Sequence, residues 1–236
     1  MSKDFHHMSQ MNIIVSGASG NLGSAIIDFF LSRGDKVIGL VHRHHDIPLS
    51  NANYTQLVVN LMDEVSSSDC VAQCIETLGR IDAVIMTAGG FAMGNIGNTT
   101  TDQLEQQYRL NFLTAWHLTT PILDVMKQQG GGKLFFVGSS QGLDTHKGKN
   151  VVAYSLSKSL LFQLANIINA DSMHSHVEAF VIVPSTIDTP QNRRDMPDAD
   201  FNKWEKPATI AAIVGKYLEQ KETSKKFIVI QDELKS

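Results

Sequence analysis

Apolar residues recur along this chain in two alternating patterns. Short runs rich in Val, Ile, Leu or Phe, near residues 12–16, 36–41, 56–60, 82–87, 133–138, 177–183 and 226–230, predict β-strands. Between them, longer stretches near 22–33, 66–79, 101–128, 151–170 and 207–219 predict helices, with a start signal at Thr101 and Asp102 and a glycine stop at Gly34. This alternation predicts an α/β fold, a doubly wound parallel sheet of about seven strands with helices on both faces. Ligands of such sheets bind beyond the carboxyl ends of the strands, which directs attention to the turns after Val15, Val41, Thr87, Val137 and Val183.

The 236 residues, 42% hydrophobic, suffice for one full core, and no linker divides them. A single domain over 1–236 is expected, with residues 1–10 a flexible N-terminus. A net charge of -4 with interspersed signs argues against nucleic acid or an anionic membrane as partner and for a small-molecule substrate. No apolar run approaches the roughly 20 residues that span a bilayer, so a cytoplasmic protein is expected. Cys70 and Cys74, four apart on a predicted helix, suit two reduced, core-facing thiols better than a disulfide or a metal site.

Candidate chemistry falls in the predicted turns. Gly17, Gly20 and Gly23 stand at three-residue intervals between the first strand and helix, with Ser19, Asn21 and Leu22 among them. Glycine lets backbone N–H groups approach a pyrophosphate, and the start of the helix adds partial positive charge. At the end of the second strand an acidic residue would take the ribose hydroxyls of NAD(H), and a basic one the 2′-phosphate of NADP(H). The residues there are Val41, His42, Arg43, His44 and His45, with no carboxylate before Asp46, so Arg43 favours NADP(H) over NAD(H). The histidines lack the partners of a metal site, and no metal is expected.

Tyr154 and Lys158, four apart on a predicted helix, share one face. That helix follows the strand ending at Val137-Gly138-Ser139-Ser140, where the sheet presents ligands. Carbonyl reduction needs a proton donor for the developing alkoxide, and a neighbouring ammonium stabilises a phenolate. Ser139 is a candidate to hold the substrate oxygen and Asn111 to support a water that resupplies the proton, although an asparagine satisfied within a helix would look the same.

Taken together, SGASGNLG (16–23), TAGG (87–90), Asn111, VGSS (137–140), YSLSK (154–158) and VPSTIDT (183–189) resemble the short-chain dehydrogenase/reductase family from Met11 to about Ile230, with the motifs in the family's order. The resemblance implies a Rossmann fold and an NAD(P)-dependent oxidoreductase. It places Gly17, Gly20 and Gly23 at the pyrophosphate and Ala88 and Gly89 at the adenosine ribose. It also makes Tyr154, Lys158, Ser139 and Asn111 a catalytic tetrad, and puts Pro184, Ile187 and Thr189 at the nicotinamide end. Ser139 fits the family's Ser-x-x-Gly spacing because Gly142 follows three positions later; Ser140 is the alternative.

Within the family, residues 184–204 look like the corresponding region of quinonoid dihydropteridine reductase. The chain departs from that enzyme at Val41, where the reductase carries an aspartate, and at Ser139, where the reductase lacks a serine. Three functions follow: reduction of a small-molecule carbonyl, dihydropteridine reduction, and redox sensing by a dinucleotide-binding protein without turnover. The presence of both Tyr154 and Lys158 weighs against the last. Residues 190–205 are expected to form a lid, with Arg193 and Arg194 either solvated or meeting an anionic substrate. The long helices 101–128 and 151–170 are expected to pair in a homodimer or homotetramer, as the family does.

Overall fold

A computed structural model of the chain describes residues 10–44, 51–171, 176–221 and 223–235. His45, Asp46 and all but the last residue of the expected N-terminal arm lie outside the described residues. The seven strands are β1 (Asn12–Ser16), β2 (Lys36–Val41), β3 (Tyr54–Val58), β4 (Ala83–Met86), β5 (Gly132–Val137), β6 (Val177–Val183) and β7 (Phe227–Val229). They form one sheet in the order β3-β2-β1-β4-β5-β6-β7, every pair parallel. Because β2 and β3 lie on one side of β1 and β4 on the other, the order reverses at the β1/β4 boundary. A crevice opens there beyond the strand ends.

Alternation along each strand feeds two cores. Ile14, Ile38 and Leu134 point to the face covered by α2 (Glu64–Leu78), α4 (Thr114–Gln128) and α7 (Val152–Ala170). Ile13, Val15 and Phe180 point to the face covered by α1 (Asn21–Ser32) and the helix Pro207–Glu219. Cys70 and Cys74 are free and buried in the first core, as their spacing suggested. Among the described residues, no helix is long and apolar enough to cross a membrane.

Several elements differ from expectation, among them the following. The helix expected over 101–128 is divided into α3 (Thr101–Tyr108), a π-helical turn (Arg109–Leu113) and α4. Periodicity carries no signal for the extra residue of a π turn, which is set here by tertiary bonds to Asn111. Strand β3 starts and ends two residues earlier than expected, since its register is fixed by Val37 N–H donating to Asn53 O (2.8 Å) while the Asn60 side chain turns the chain by accepting from Met62 N. Strand β7 is shorter at both ends, and Ile230 begins the helix Ile230–Glu233.

Candidate active site

The turn after β1 is built from close approaches. Gly17 has φ +67°, and a Cβ there would lie 2.8 Å from Ala88 N, so a side chain would be strained and would collide with the turn after β4. A Cβ on Gly23 would lie 2.3 Å from Gly17 O, so α1 packs directly on the turn. Thr87 Oγ1 donates to Ser16 O (2.7 Å) and joins the ends of β1 and β4. The first turn of α1 receives no side-chain cap, and Ser19, Gly20 and Asn21 are exposed while Leu22 anchors in the core. The helix therefore presents backbone N–H groups outward, the arrangement that accepts phosphate oxygens.

Beside this turn lies a cleft of about 380 Å³ lined by Gly17, Gly20, His42, Asn60, Ala88 and Gly89, among others. A nucleotide's phosphates and adenosine fit these residues. Arg43 is exposed one residue beyond His42, at the rim of this region.

At the end of β5, Ser139 is buried, and its Oγ accepts from Gly142 N (2.9 Å), capping the short helix α5 (Ser140–Leu143). This bond gives a physical reason for a Ser-x-x-Gly spacing, because a Cβ on Gly142 would press to 2.8 Å from Lys158 Cβ. Ser139 lies beside the Tyr154 phenol. The neighbouring Ser140 instead turns to Gln141 Oε1 (3.3 Å). Burial raises the Tyr154 hydroxyl above its ordinary pKa, and the nearby Ser139 hydroxyl acts the other way.

Lys158 is buried, donates to Val137 O (2.7 Å), and lies 5.9 Å from the centre of the Tyr154 ring. Loss of hydration brings its ammonium down to about 8. Asn111 grips both backbone groups of Gly90: its Oδ1 accepts from Gly90 N (2.9 Å) and its Nδ2 faces Gly90 O (3.1 Å), Gln107 Oε1 and Ser157 Oγ (both 3.0 Å). A Cβ on Gly89 would meet Asn111 Oδ1 at 2.5 Å. Asn111 thus joins the turn after β4 to α7, and its side chain is satisfied by protein groups.

Beyond β6, Pro184 O accepts from Ser140 N (3.0 Å), which ties this segment to the Ser139 turn. Thr189 Oγ1 accepts from Asn192 N (3.1 Å) and caps α8 (Pro190–Asp195). Arg193 binds Asp188 through two hydrogen bonds (2.6 and 2.8 Å), holds its carboxyl below the usual range, and covers the Phe201 ring at 4.6 Å. Arg194 reaches Gln191 (2.8 Å). Both arginines are exposed and have partners within the segment, which favours solvated charges over contacts to substrate.

Several residues escaped the sequence reading. Phe91 is exposed and packs edge-on against Tyr154, ring centres 5.0 Å apart. Gly94 forms a bridge with Val151, donating to Asn150 O (2.9 Å) and accepting from Val152 N (2.8 Å), which pins the Phe91 loop to the start of the Tyr154 helix. Asn60, Leu61 and Met62 line the nucleotide-sized cleft because β3 ends beside it. Only the run of apolar residues after β3 hinted at them. Glu205 is buried beneath the segment after β6, where an isolated acid in a polar stretch gave no signal.

A parallel sheet with its crevice at a strand-order reversal, and a Ser–Tyr–Lys group at the same carboxyl edge, defines the class of Rossmann-type oxidoreductases. The model of the short chain dehydrogenase family matches residues 11–200, and the chain belongs to that family. Among its relatives, the short chain dehydrogenase ausX of Aspergillus calidoustus is 29% identical over 185 residues, covering 77% of this chain and 71% of that protein. The dihydropteridine reductase of Dictyostelium discoideum is 26% identical over 200 residues, covering 82% and 81%. The fold is also that of a structure of ElxO with NADP bound (TM-score 0.83, 15% identity, 93% of this chain and 96% of that one).

Proposed function

We propose that this oxidoreductase is a single-domain cytoplasmic enzyme that reduces the carbonyl of a small molecule, with NADPH as the preferred cofactor and Tyr154 as proton donor. The observation that carries the reading is the gathering of buried Ser139 and buried Lys158 around Tyr154, with Lys158 Nζ 5.9 Å from the centre of its ring. The phosphates would be held by backbone groups of Ser19 to Leu22 at the start of α1, the adenosine side by Ala88 and Gly89, and a 2′-phosphate by Arg43. Pro184, Ile187 and Thr189 would border the nicotinamide. Bound there, the reduced nicotinamide supplies hydride to the carbonyl carbon.

Ser139 orients the carbonyl oxygen, and the Tyr154 phenol gives it a proton as charge develops. Lys158, brought to about 8, carries a proton it can return to the phenol near neutral pH. Asn111 keeps the Gly89–Gly90 turn and α7 in place around this exchange. Water is excluded partly by Phe91, which covers one edge of the Tyr154 ring.

The test is loss of NADPH absorbance with a panel of small ketones, aldehydes, β-ketoacyl thioesters and quinonoid dihydropterin. Tyr154→Phe is expected to lower turnover by about 10²- to 10⁴-fold while leaving nucleotide affinity intact. Failure to bind either NADPH or NADH would overturn the reading. Tenfold weaker binding of NADPH in Arg43→Ala, with NADH unaffected, is the result expected from a 2′-phosphate contact of about 1.4 kcal/mol. Turnover of the pterin alone would favour a dihydropteridine reductase, the second reading, which is supported by the Dictyostelium relative and by residues 184–204.

A further inference from the structure

The short segment after β6 is held from below by one residue. Glu205 pairs with Ile187 in a parallel bridge, its N–H donating to Thr186 O (2.9 Å) and its carbonyl accepting from Asp188 N (2.8 Å). Its side chain adds a third tie, Oε2 accepting from Ser185 N (2.9 Å). Successive backbone groups in a bridge point to opposite sides. With Thr186 O and Asp188 N facing Glu205, the N–H and C=O of Ile187 face away from it; that C=O accepts from Asn192 Nδ2 (2.8 Å).

We propose that Glu205 is a positioning residue for the nicotinamide end of the site, fixing Ser185 to Asp188 so that Ile187 presents its backbone N–H to the cofactor. This rests on the function proposed above. A neutral side chain would suffice to accept one N–H, yet an acid stands here, 2% exposed, with Oε1 lacking a hydrogen-bond partner among the described residues. The charged groups around it are Asp188, engaged by Arg193, and, on its own segment, Lys203, paired with Asp200, and Lys206. Burial, opposed by the Ser185 bond, pushes the Glu205 carboxyl up to about 7. Either form leaves Oε1 without a partner, but the anion also leaves an uncompensated charge under the turn. With the released carboxyl at its ordinary value of 4.5 and the held one at about 7, the grip weakens as pH rises between these values and is level above about 7.

The experiment measures dissociation constants of the full chain from pH 5.5 to 8.5 for NADPH and for 2′-phospho-ADP-ribose, which lacks the nicotinamide. For the unaltered chain NADPH binding is expected to weaken between pH 5.5 and 7 more than binding of the fragment, and to level off above pH 7. Glu205→Gln, which keeps the acceptor and cannot ionise, should remove that difference and bind NADPH at high pH as the unaltered chain does at low pH. Glu205→Ala should weaken NADPH about tenfold at every pH and leave the fragment alone. Equal losses for both ligands, or a pH difference that persists in Glu205→Gln, would overturn the proposal. Weak binding of both ligands by the unaltered chain would instead overturn the functional reading, and this one with it.

Discussion

Lys158 shows how burial loosens a side chain's hold on its proton. An exposed lysine keeps its proton to about pH 10.5, but desolvation inside the Ser139–Tyr154 group brings Lys158 to about 8. Between these values the unfolded chain binds more protons than the folded one, so this residue makes stability rise with pH from 8 to 10.5. Urea titrations across that range are expected to show the rise in the unaltered chain and a flatter profile in Lys158→Met. The same contrast explains which site residues were legible. Tyr154, Lys158 and the glycines carry their chemistry in residue type and spacing. Phe91 and Glu205 acquire theirs from neighbours distant in the chain, Tyr154 in one case and Ser185 in the other.

At the scale of elements, the turn between β1 and α1 is a packing device as much as a proposed phosphate cradle. The sequence reading placed Gly17, Gly20 and Gly23 together at a pyrophosphate, whereas a Cβ at Gly17 or Gly23 would collide first with the protein itself. Gly23→Ala is expected to cost about 1–3 kcal/mol of stability and to weaken nucleotide binding by displacing the turn, as read by thermal unfolding with and without NADPH. The seven parallel strands and the helices on both faces followed from the alternation of apolar residues. The π turn at 109–113 did not, because it depends on the Asn111 amide bonding to Gly90, Gln107 and Ser157. Likewise the short helices after β5 and β6 hang on single caps, Ser139 and Thr189, which have no periodicity to reveal them.

At the scale of the molecule, α3 and α7 leave Tyr108, Leu156 and Leu160 partly uncovered around one apolar hollow. Pairing of these faces between copies is the arrangement expected of a homodimer or homotetramer. Sedimentation should show a species at least twice the 26.0 kDa chain mass, and Leu156→Glu should shift it to monomer. The bridge from Gly94 to Val151 gives the molecule another property. The Phe91 loop and the helix that carries the Tyr154 phenol are tied together, so under the proposed function a substrate that displaced Phe91 would also tilt the phenol away from the oxygen it is to protonate. Poorly fitting compounds would then bind and leave unchanged: selectivity would be written in the turnover step rather than in occupancy.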